Sequence, residues 1–135
     1  LCLDGEQALN TPDTGIVLFA HGSRDPLWRL PIDAVAQAMA SASPGCVVRC
    51  AFLELTTPDL LTAVSELSRL GLKTVRIVPM FLGVGRHARE DLPELVQQLR
   101  QQHPQLTIEL MPPVGEHPAM TRLMAQIALG ALPKP

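Results

Sequence analysis

The chain has 135 residues and a formal net charge of −2 at pH 7, and 47% of its residues are hydrophobic but only 3% aromatic. This composition suits one domain with an aliphatic core, and it argues against a nucleic-acid partner, which would need basic charge or stacking rings. Because there is no apolar run of membrane-spanning length, no signal-peptide pattern and no paired cysteine motif, we expect a cytoplasmic protein with no membrane partner.

Strand-like and helix-like segments alternate four times along the chain. The predicted strands are largely apolar, as strands covered on both faces are, and they centre on residues 16–20, 47–53, 74–79 and 106–111. The predicted helices centre on residues 29–42, 59–70, 92–102 and 118–130. This alternation predicts an α/β fold, with a four-stranded parallel sheet in the order 2-1-3-4 flanked by helices. We expect one domain over residues 14–132, preceded by a disordered leader over residues 1–13.

Capping residues and apolar spacing predict the helix boundaries and the buried faces. Thr57 is the expected N-cap of the second helix, and Asp91 that of the third, which places Pro93 in its first turn. In the last helix, four apolar residues recur at helical spacing and predict a buried stripe: Met120, Leu123, Met124 and Ile127. The methionines are interpreted as core residues and not as metal ligands.

Three candidate catalytic residues each follow an apolar strand. His21, Glu54 and His87 are evenly spaced, with 33 residues from each to the next, which is about the length of one strand, one helix and their two turns. In the predicted order, the switch point lies between the first and third strands, which lead to His21 and His87. Two imidazoles at this edge are suited to bind a divalent metal or to transfer protons. Glu54 is interpreted as a proton acceptor, a third metal ligand or a structural group.

Other residues near the same edge are candidates for substrate binding. Arg24, Arg86 and Arg89 are expected on the two loops that carry the histidines, where they would form an anion-binding rim. The segment after the third strand is either a contact for a flat apolar ligand or a buried turn, and it consists of Phe81, Leu82, Gly83, Val84 and Gly85. His117 either faces the cleft or starts the last helix. The sequence contains no phosphate-loop, nucleophile-elbow or zinc-hydrolase motif.

Five short motifs, in order along residues 15–129, carry a resemblance to a known family. They read HGSRDP (21–26), AFLE (51–54), VPMFL (78–82), GRH with EDLP (85–87 and 90–93) and GEHP (115–118). Together they resemble the motifs of the small CbiX-type sirohydrochlorin chelatases, which are class II chelatases. The resemblance implies a fold equivalent to one half of the two-lobed chelatases.

The same resemblance implies an activity and a set of site residues. The activity is ATP-independent insertion of a divalent metal, Co²⁺ or Fe²⁺, into sirohydrochlorin for cobalamin or siroheme biosynthesis, and related small enzymes also handle Ni²⁺. It further implies a tetrapyrrole substrate, no organic cofactor and a homodimer. His21 and His87 would then be the metal ligands, and Glu54 would assist as the third catalytic residue.

Two other functions remain open at this point. One is a non-catalytic protein that binds and delivers metal or tetrapyrrole, because the same residues would serve it without turnover. The other is a phosphoryl-transfer enzyme with His21 as nucleophile, which would need Arg24 and Arg86 as a phosphate clamp. The arginine that usually precedes the His-Gly pair in such enzymes is replaced here by Ala20.

Overall fold

The computed structural model describes residues 13–134, so the predicted leader lies outside the described residues except for Asp13. Four parallel strands form one sheet in the order β2-β1-β3-β4, which confirms the predicted topology. The strands are β1 (Thr14–Ala20), β2 (Val47–Phe52), β3 (Thr74–Pro79) and β4 (Thr107–Leu110). The helices are α1 (Leu30–Ala42), α2 (Leu60–Arg69), α3 (Arg86–Gln102) and α4 (Pro118–Ala128), and two short 3₁₀ helices cover Pro26–Arg29 and Val114–Glu116.

β1 lies in the middle of the sheet and is its most buried strand. Leu18 is level with Cys50 of β2 on one side and with Val78 of β3 on the other. Every residue from Gly15 to Ala20 is buried, because neighbouring strands flank β1 on both sides and helices cover it. Because all four strands are parallel, their carboxyl ends lie at one edge of the sheet, and the end of β1 lies between those of β2 and β3.

Two helices close one face of the sheet, which we call the closed face. Side chains alternate across a strand, and on β3 it is Val75, Ile77 and Pro79 that are buried on this face. α2 packs there on β1 and β2, and α3 packs on β4. The residues that these helices bury form one aliphatic core with the strands: Leu60, Ala63, Val64, Leu67, Leu92, Val96 and Leu99.

The opposite face, which we call the open face, is only partly covered. α1 packs there on β2 and β1, where the Arg29 guanidinium lies 4.9 Å from the centroid of the Phe52 ring. Beyond α1, a groove of about 690 Å³ separates α4 from Arg76 and Val78 of β3. We call it the α4 groove. No helix in the part of the chain that the structure describes is both long and apolar enough for a membrane span.

The predicted buried stripe of α4 is wrong. Met120 and Met124 are half-buried, Leu123 is 41% exposed and Ile127 is 60% exposed. The spacing identified an apolar helix face correctly, but this face borders the α4 groove, and the described residues cover it only in part. Apolar periodicity specifies which side of a helix needs a partner, not whether the same chain supplies one.

Two predicted helix starts are also wrong. α3 begins at Arg86 after the N-cap Gly85, so Asp91 and Pro93 lie inside the helix. Its first residues are polar and are supported by the Arg86–Glu90 ion pair, so they show no apolar stripe that would reveal the early start. α2 is capped by Asp59 and not by Thr57, because the Asp59 carboxylate accepts a hydrogen bond from the Thr62 N–H at 2.8 Å.

Candidate functional site

The carboxyl edge of the sheet brings His21 and Glu54 together. His21 directly follows β1, and Glu54 lies two residues beyond the end of β2. The distance from His21 Nδ1 to Glu54 Oε1 is 3.5 Å, and the two side chains are 51% and 45% exposed. A carboxylate at this distance from an imidazole nitrogen orients the ring. The pair is therefore suited to bind a cation or to exchange protons with a ligand at the edge.

A ring contact with Phe81 orients the imidazole of His21. The imidazole stacks on the Phe81 ring, with 4.7 Å between centroids and a tilt of 36°. Phe81 is buried and makes an edge-to-face contact with Phe19 of β1, with 6.1 Å between centroids. Because both phenylalanines belong to the core, the orientation of His21 is supported by buried side chains.

An open cavity of about 660 Å³ lies beside His21, and we call it the His21 cavity. Its rim includes three exposed apolar residues, Leu27, Trp28 and Leu82. The Trp28 indole N–H donates a hydrogen bond of 2.8 Å to the His21 carbonyl, so the rim is attached to the histidine itself. Leu27 and Trp28 were not predicted as site residues from the sequence. The available signal was the only tryptophan of the chain, next to a leucine in a polar segment.

His87 lies apart from this pair. It occupies the exposed first turn of α3 and is not among the residues that line the His21 cavity. Among the described residues, no three or more His, Cys, Asp or Glu side chains form a group that could hold a metal ion. A joint role of His21 and His87 as metal ligands thus stays a prediction, and the set of two imidazoles and one carboxylate is not assembled in this single chain.

The three candidate arginines are all exposed at this end of the molecule. Arg86 and Arg89 belong to α3 and not to a loop, because the helix starts earlier than predicted. The Arg86 Nε donates to Glu90 Oε1 at 3.1 Å, and such a hydrated pair costs little to separate. Arg89 lines a smaller cavity of about 320 Å³ between α3 and the segment after β4. All three remain accessible to an anionic ligand.

The Phe81–Gly85 segment is a buried turn only at Phe81, and its contact with a flat apolar ligand stays a prediction. Phe81 is a buried turn residue, Val84 is half-buried, and Leu82, Gly83 and Gly85 are exposed. The Gly115 N–H donates to the Phe81 carbonyl at 2.9 Å, and a side chain at Gly115 would collide with the Leu82 backbone. The segment is therefore held against the one that follows β4, while Leu82 stays available to a ligand.

His117 has the second of its two predicted roles. Its Nδ1 accepts a hydrogen bond from the Ala119 N–H at 3.0 Å, which makes it the N-cap of α4. The residue lines the α4 groove and not the His21 cavity. Its assignment to substrate binding has no support from the His21 cavity and stays a prediction.

Comparison with known proteins shows which family this chain resembles. A family model described as CbiX matches residues 15–129. The sirohydrochlorin cobaltochelatase of Methanococcoides burtonii is 32% identical over 83 residues, which are 62% of this chain and 63% of that protein. The matched stretch is thus less than two thirds of that relative's own length.

Two solved structures share the fold. A putative cobalamin biosynthesis CbiX protein from Marinobacter aquaeolei VT8 is 30% identical, with a TM-score of 0.76 over 87% of this chain and 96% of that one. The sirohydrochlorin chelatase SirB from Bacillus subtilis subspecies spizizenii, solved in complex with cobalt, is 25% identical with a TM-score of 0.69. The similarity covers 86% of this chain but only 51% of the SirB chain.

Proposed function

The chain belongs to the CbiX family, and from this membership we propose that it inserts a divalent metal, Co²⁺ or Fe²⁺, into sirohydrochlorin without ATP. The observation that carries the proposal is the His21–Glu54 pair, with Nδ1 and Oε1 3.5 Å apart, whose histidine lines an open cavity with an apolar border. A flat macrocycle needs such a border, and a metal in transfer needs an exposed ligand.

In this reaction the metal is a substrate and the protein supplies ligands and a proton acceptor. Glu54 faces the Nδ1 atom of His21, so an Nδ1–H tautomer donating to Glu54 leaves Nε2 as the nitrogen available to the metal. The macrocycle must lose two pyrrole protons as the metal enters. The Glu54 carboxylate beside His21 can accept one of them, and the other passes to solvent water at the open cavity.

We assign the remaining residues by chemistry. His87 is proposed as the second metal ligand, because imidazole suits Co²⁺, Fe²⁺ and also Ni²⁺. The substrate carries several carboxylates, which Arg24, Arg86 and Arg89 can meet with bidentate hydrogen bonds. Leu27, Trp28 and Leu82 would contact the face of the ring. No organic cofactor is needed, and we place the reaction in the cytoplasm.

We further infer a homodimer in which a second copy covers the α4 groove. The groove is lined mainly by apolar residues, and the half-buried or exposed Met120 and Leu123 contribute to it. Burying these apolar groove residues against a partner is favourable. The chain aligns with 51% of the SirB chain, so a second copy would supply a comparable total length.

A turnover assay tests the proposed activity against the runner-up, a non-catalytic carrier of metal or tetrapyrrole. Purified protein is mixed with excess sirohydrochlorin and Co²⁺ or Fe²⁺, and the absorbance of the metallated product is followed above the spontaneous rate. More than one equivalent of product per chain supports an enzyme, whereas one stoichiometric event supports the carrier.

Variants of the His21–Glu54 pair sharpen the assay. We expect His21→Ala and Glu54→Gln each to reduce kcat by about 100-fold or more, because each removes a group that acts on the metal or the proton. His103→Ala is the matched control, since His103 follows α3 near the opposite edge of the sheet and contacts Ser65. Equal turnover in all three variants would contradict the assignment.

A further inference from the structure

The segment that carries Glu54 contains an unusual turn. The Thr56 N–H donates to the Glu54 carbonyl at 2.7 Å, which closes a turn of three residues. Leu55 at its centre has φ 64° and is the one non-glycine residue with positive φ in the described chain. This backbone conformation is rare and strained for any residue other than glycine. The Leu55 side chain is 60% exposed, so its own burial does not compensate the strain.

Such strain persists only where neighbouring contacts enforce it, and here the contacts come from the His21 segment. The Thr56 hydroxyl accepts a hydrogen bond from the Ser23 N–H at 3.0 Å and donates one to the Ser23 carbonyl at 2.9 Å. One hydroxyl thus satisfies both backbone groups of a residue 33 positions away. A hydroxyl is donor and acceptor at once, which no aliphatic side chain of the same size can reproduce.

Gly22 completes the contact between the two segments. A side chain at this position would collide with the Glu54 carbonyl, so only glycine allows the backbones to approach so closely. On the far side of Ser23, its hydroxyl accepts from the Asp25 N–H and the Asp25 carboxylate accepts from the Leu27 N–H. The bonds of Thr56 therefore connect Glu54 with the whole segment from His21 to the cavity rim.

We propose that Thr56 is a positioning residue, whose hydroxyl holds the strained Glu54–Thr56 turn and thereby keeps the Glu54 carboxylate facing His21 Nδ1. Without the two bonds to Ser23, Leu55 is free to return to negative φ, and this rotation redirects the residue before it. Glu54 then moves away from His21. The geometric part of this inference stands alone, and only its kinetic consequence rests on the proposed chelatase function.

The test compares Thr56→Val, which keeps the shape and loses the hydroxyl, with Thr56→Ser, which keeps the hydroxyl. We expect Thr56→Val to lower kcat for metal insertion by about 10- to 100-fold with little change in KM for sirohydrochlorin, because the misplaced group acts in the reaction and not in ring binding. Thr56→Ser should stay within about threefold of the parent. Thr107→Val, at the exposed start of β4, is the matched control.

A double-mutant cycle separates positioning from general destabilisation. If Thr56 acts through Glu54, adding Thr56→Val to Glu54→Gln should cost almost nothing further. Full additivity of the two effects would overturn the proposal. If Thr56→Val does not fold, Thr56→Ala removes the same hydroxyl without placing a methyl group against Ser23, and it enters the same cycle.

A crystal structure of the Thr56 variant tests the geometry whether or not the chain is a chelatase. We expect Glu54 Oε1 to lie well beyond its present 3.5 Å from His21 Nδ1, and Leu55 to have negative φ. An unchanged Glu54–His21 distance in that structure refutes the positioning role even if turnover falls. An inactive parent chain with a displaced Glu54 in the variant refutes the chelatase function and keeps the positioning role.

Discussion

Helices lie on both faces of the sheet, but the two faces are packed very differently. On the closed face, α2 and α3 bury residues such as Leu67 and Leu99 completely. On the open face, α1 and α4 bury no residue within the described chain. An apolar helix face is thus buried only where a partner packs on it, and the described residues leave the face of α4 without a buried residue.

The largest effect expected from this comparison is on stability. Leu67→Ala should lower the free energy of unfolding by about 2–5 kcal/mol, because it leaves a cavity in a fully packed core. Ile127→Ala, on the exposed side of α4, should change it by about 0.5 kcal/mol or less. Urea unfolding at a protein concentration where the chain is monomeric measures both. Similar losses for the two variants would show that α4 is packed as tightly as α2.

A charge in the α4 groove should affect association more than folding. Leu123→Glu places a carboxylate among the lining residues, and we expect it to weaken self-association at least tenfold, about 1.4 kcal/mol, with the circular dichroism spectrum unchanged. Leu129→Glu is the control, because Leu129 is highly exposed beyond α4 and does not line the groove. Sedimentation velocity gives the dissociation constants. Identical constants for the two variants would exclude the α4 groove as the interface.

The capping of α2 adds a pH-dependent difference between the faces. The pKa of Asp59 is lowered, first by its side-chain hydrogen bond with Thr62 and then by the Thr62 backbone N–H, whereas α1 has no side-chain cap. The stabilisation by Asp59 is therefore present above the ordinary carboxyl pKa of about 3.9 and is lost as the pH falls through the lower folded value. Asp59→Ala should cost about 1 kcal/mol at pH 7.

Asp59→Asn separates the charge from the cap. Asparagine also caps helices, so this variant should lose little stability at pH 7. Below pH 4, its free energy of unfolding should fall less than that of the parent chain, by about 0.5 kcal/mol. Urea unfolding at pH 7 and pH 3 measures the difference. A parent chain and an Asp59→Asn variant with identical acid dependence would show that the carboxylate contributes nothing through its charge.

The smallest effect concerns Cys50 on the open face. Burial beneath α1, followed by the nearby Asp33 carboxylate, raises the pKa of the Cys50 thiol. At pH 8 we expect Cys50 to react with iodoacetamide more slowly than a free cysteine, because less of it is thiolate. Asp33→Asn should speed the reaction only a few-fold, since burial is the larger cause. The rates are measured in a chain whose Cys2 and Cys46 are replaced by serine. If Cys50 reacts as fast as a free cysteine, α1 leaves β2 accessible to the reagent.

The strand order and the shared edge of His21 and Glu54 were predictable because they depend on local patterns, whereas the joint placement of His87 with them stays a prediction. Apolar strands that alternate with helices permit few arrangements. The 33-residue interval predicted that Glu54 lies at the same edge of the sheet as His21. The buried stripe predicted for α4 failed because burial depends on a partner that periodicity does not encode. The Thr56 contact with Ser23 was not predictable, since it joins two segments through one hydroxyl and a backbone conformation with no sequence pattern of its own.

Trp28 gives the protein a built-in optical probe. It is the only tryptophan, and its indole is bound to the His21 carbonyl at the rim of the His21 cavity. Its fluorescence therefore arises from a single, known position beside the candidate reaction centre. Tetrapyrroles absorb near the wavelengths at which indole emits, so a ring entering the cavity would quench this emission by resonance energy transfer. Ligand arrival can thus be timed in the unlabelled protein, separately from the later colour change of metal insertion.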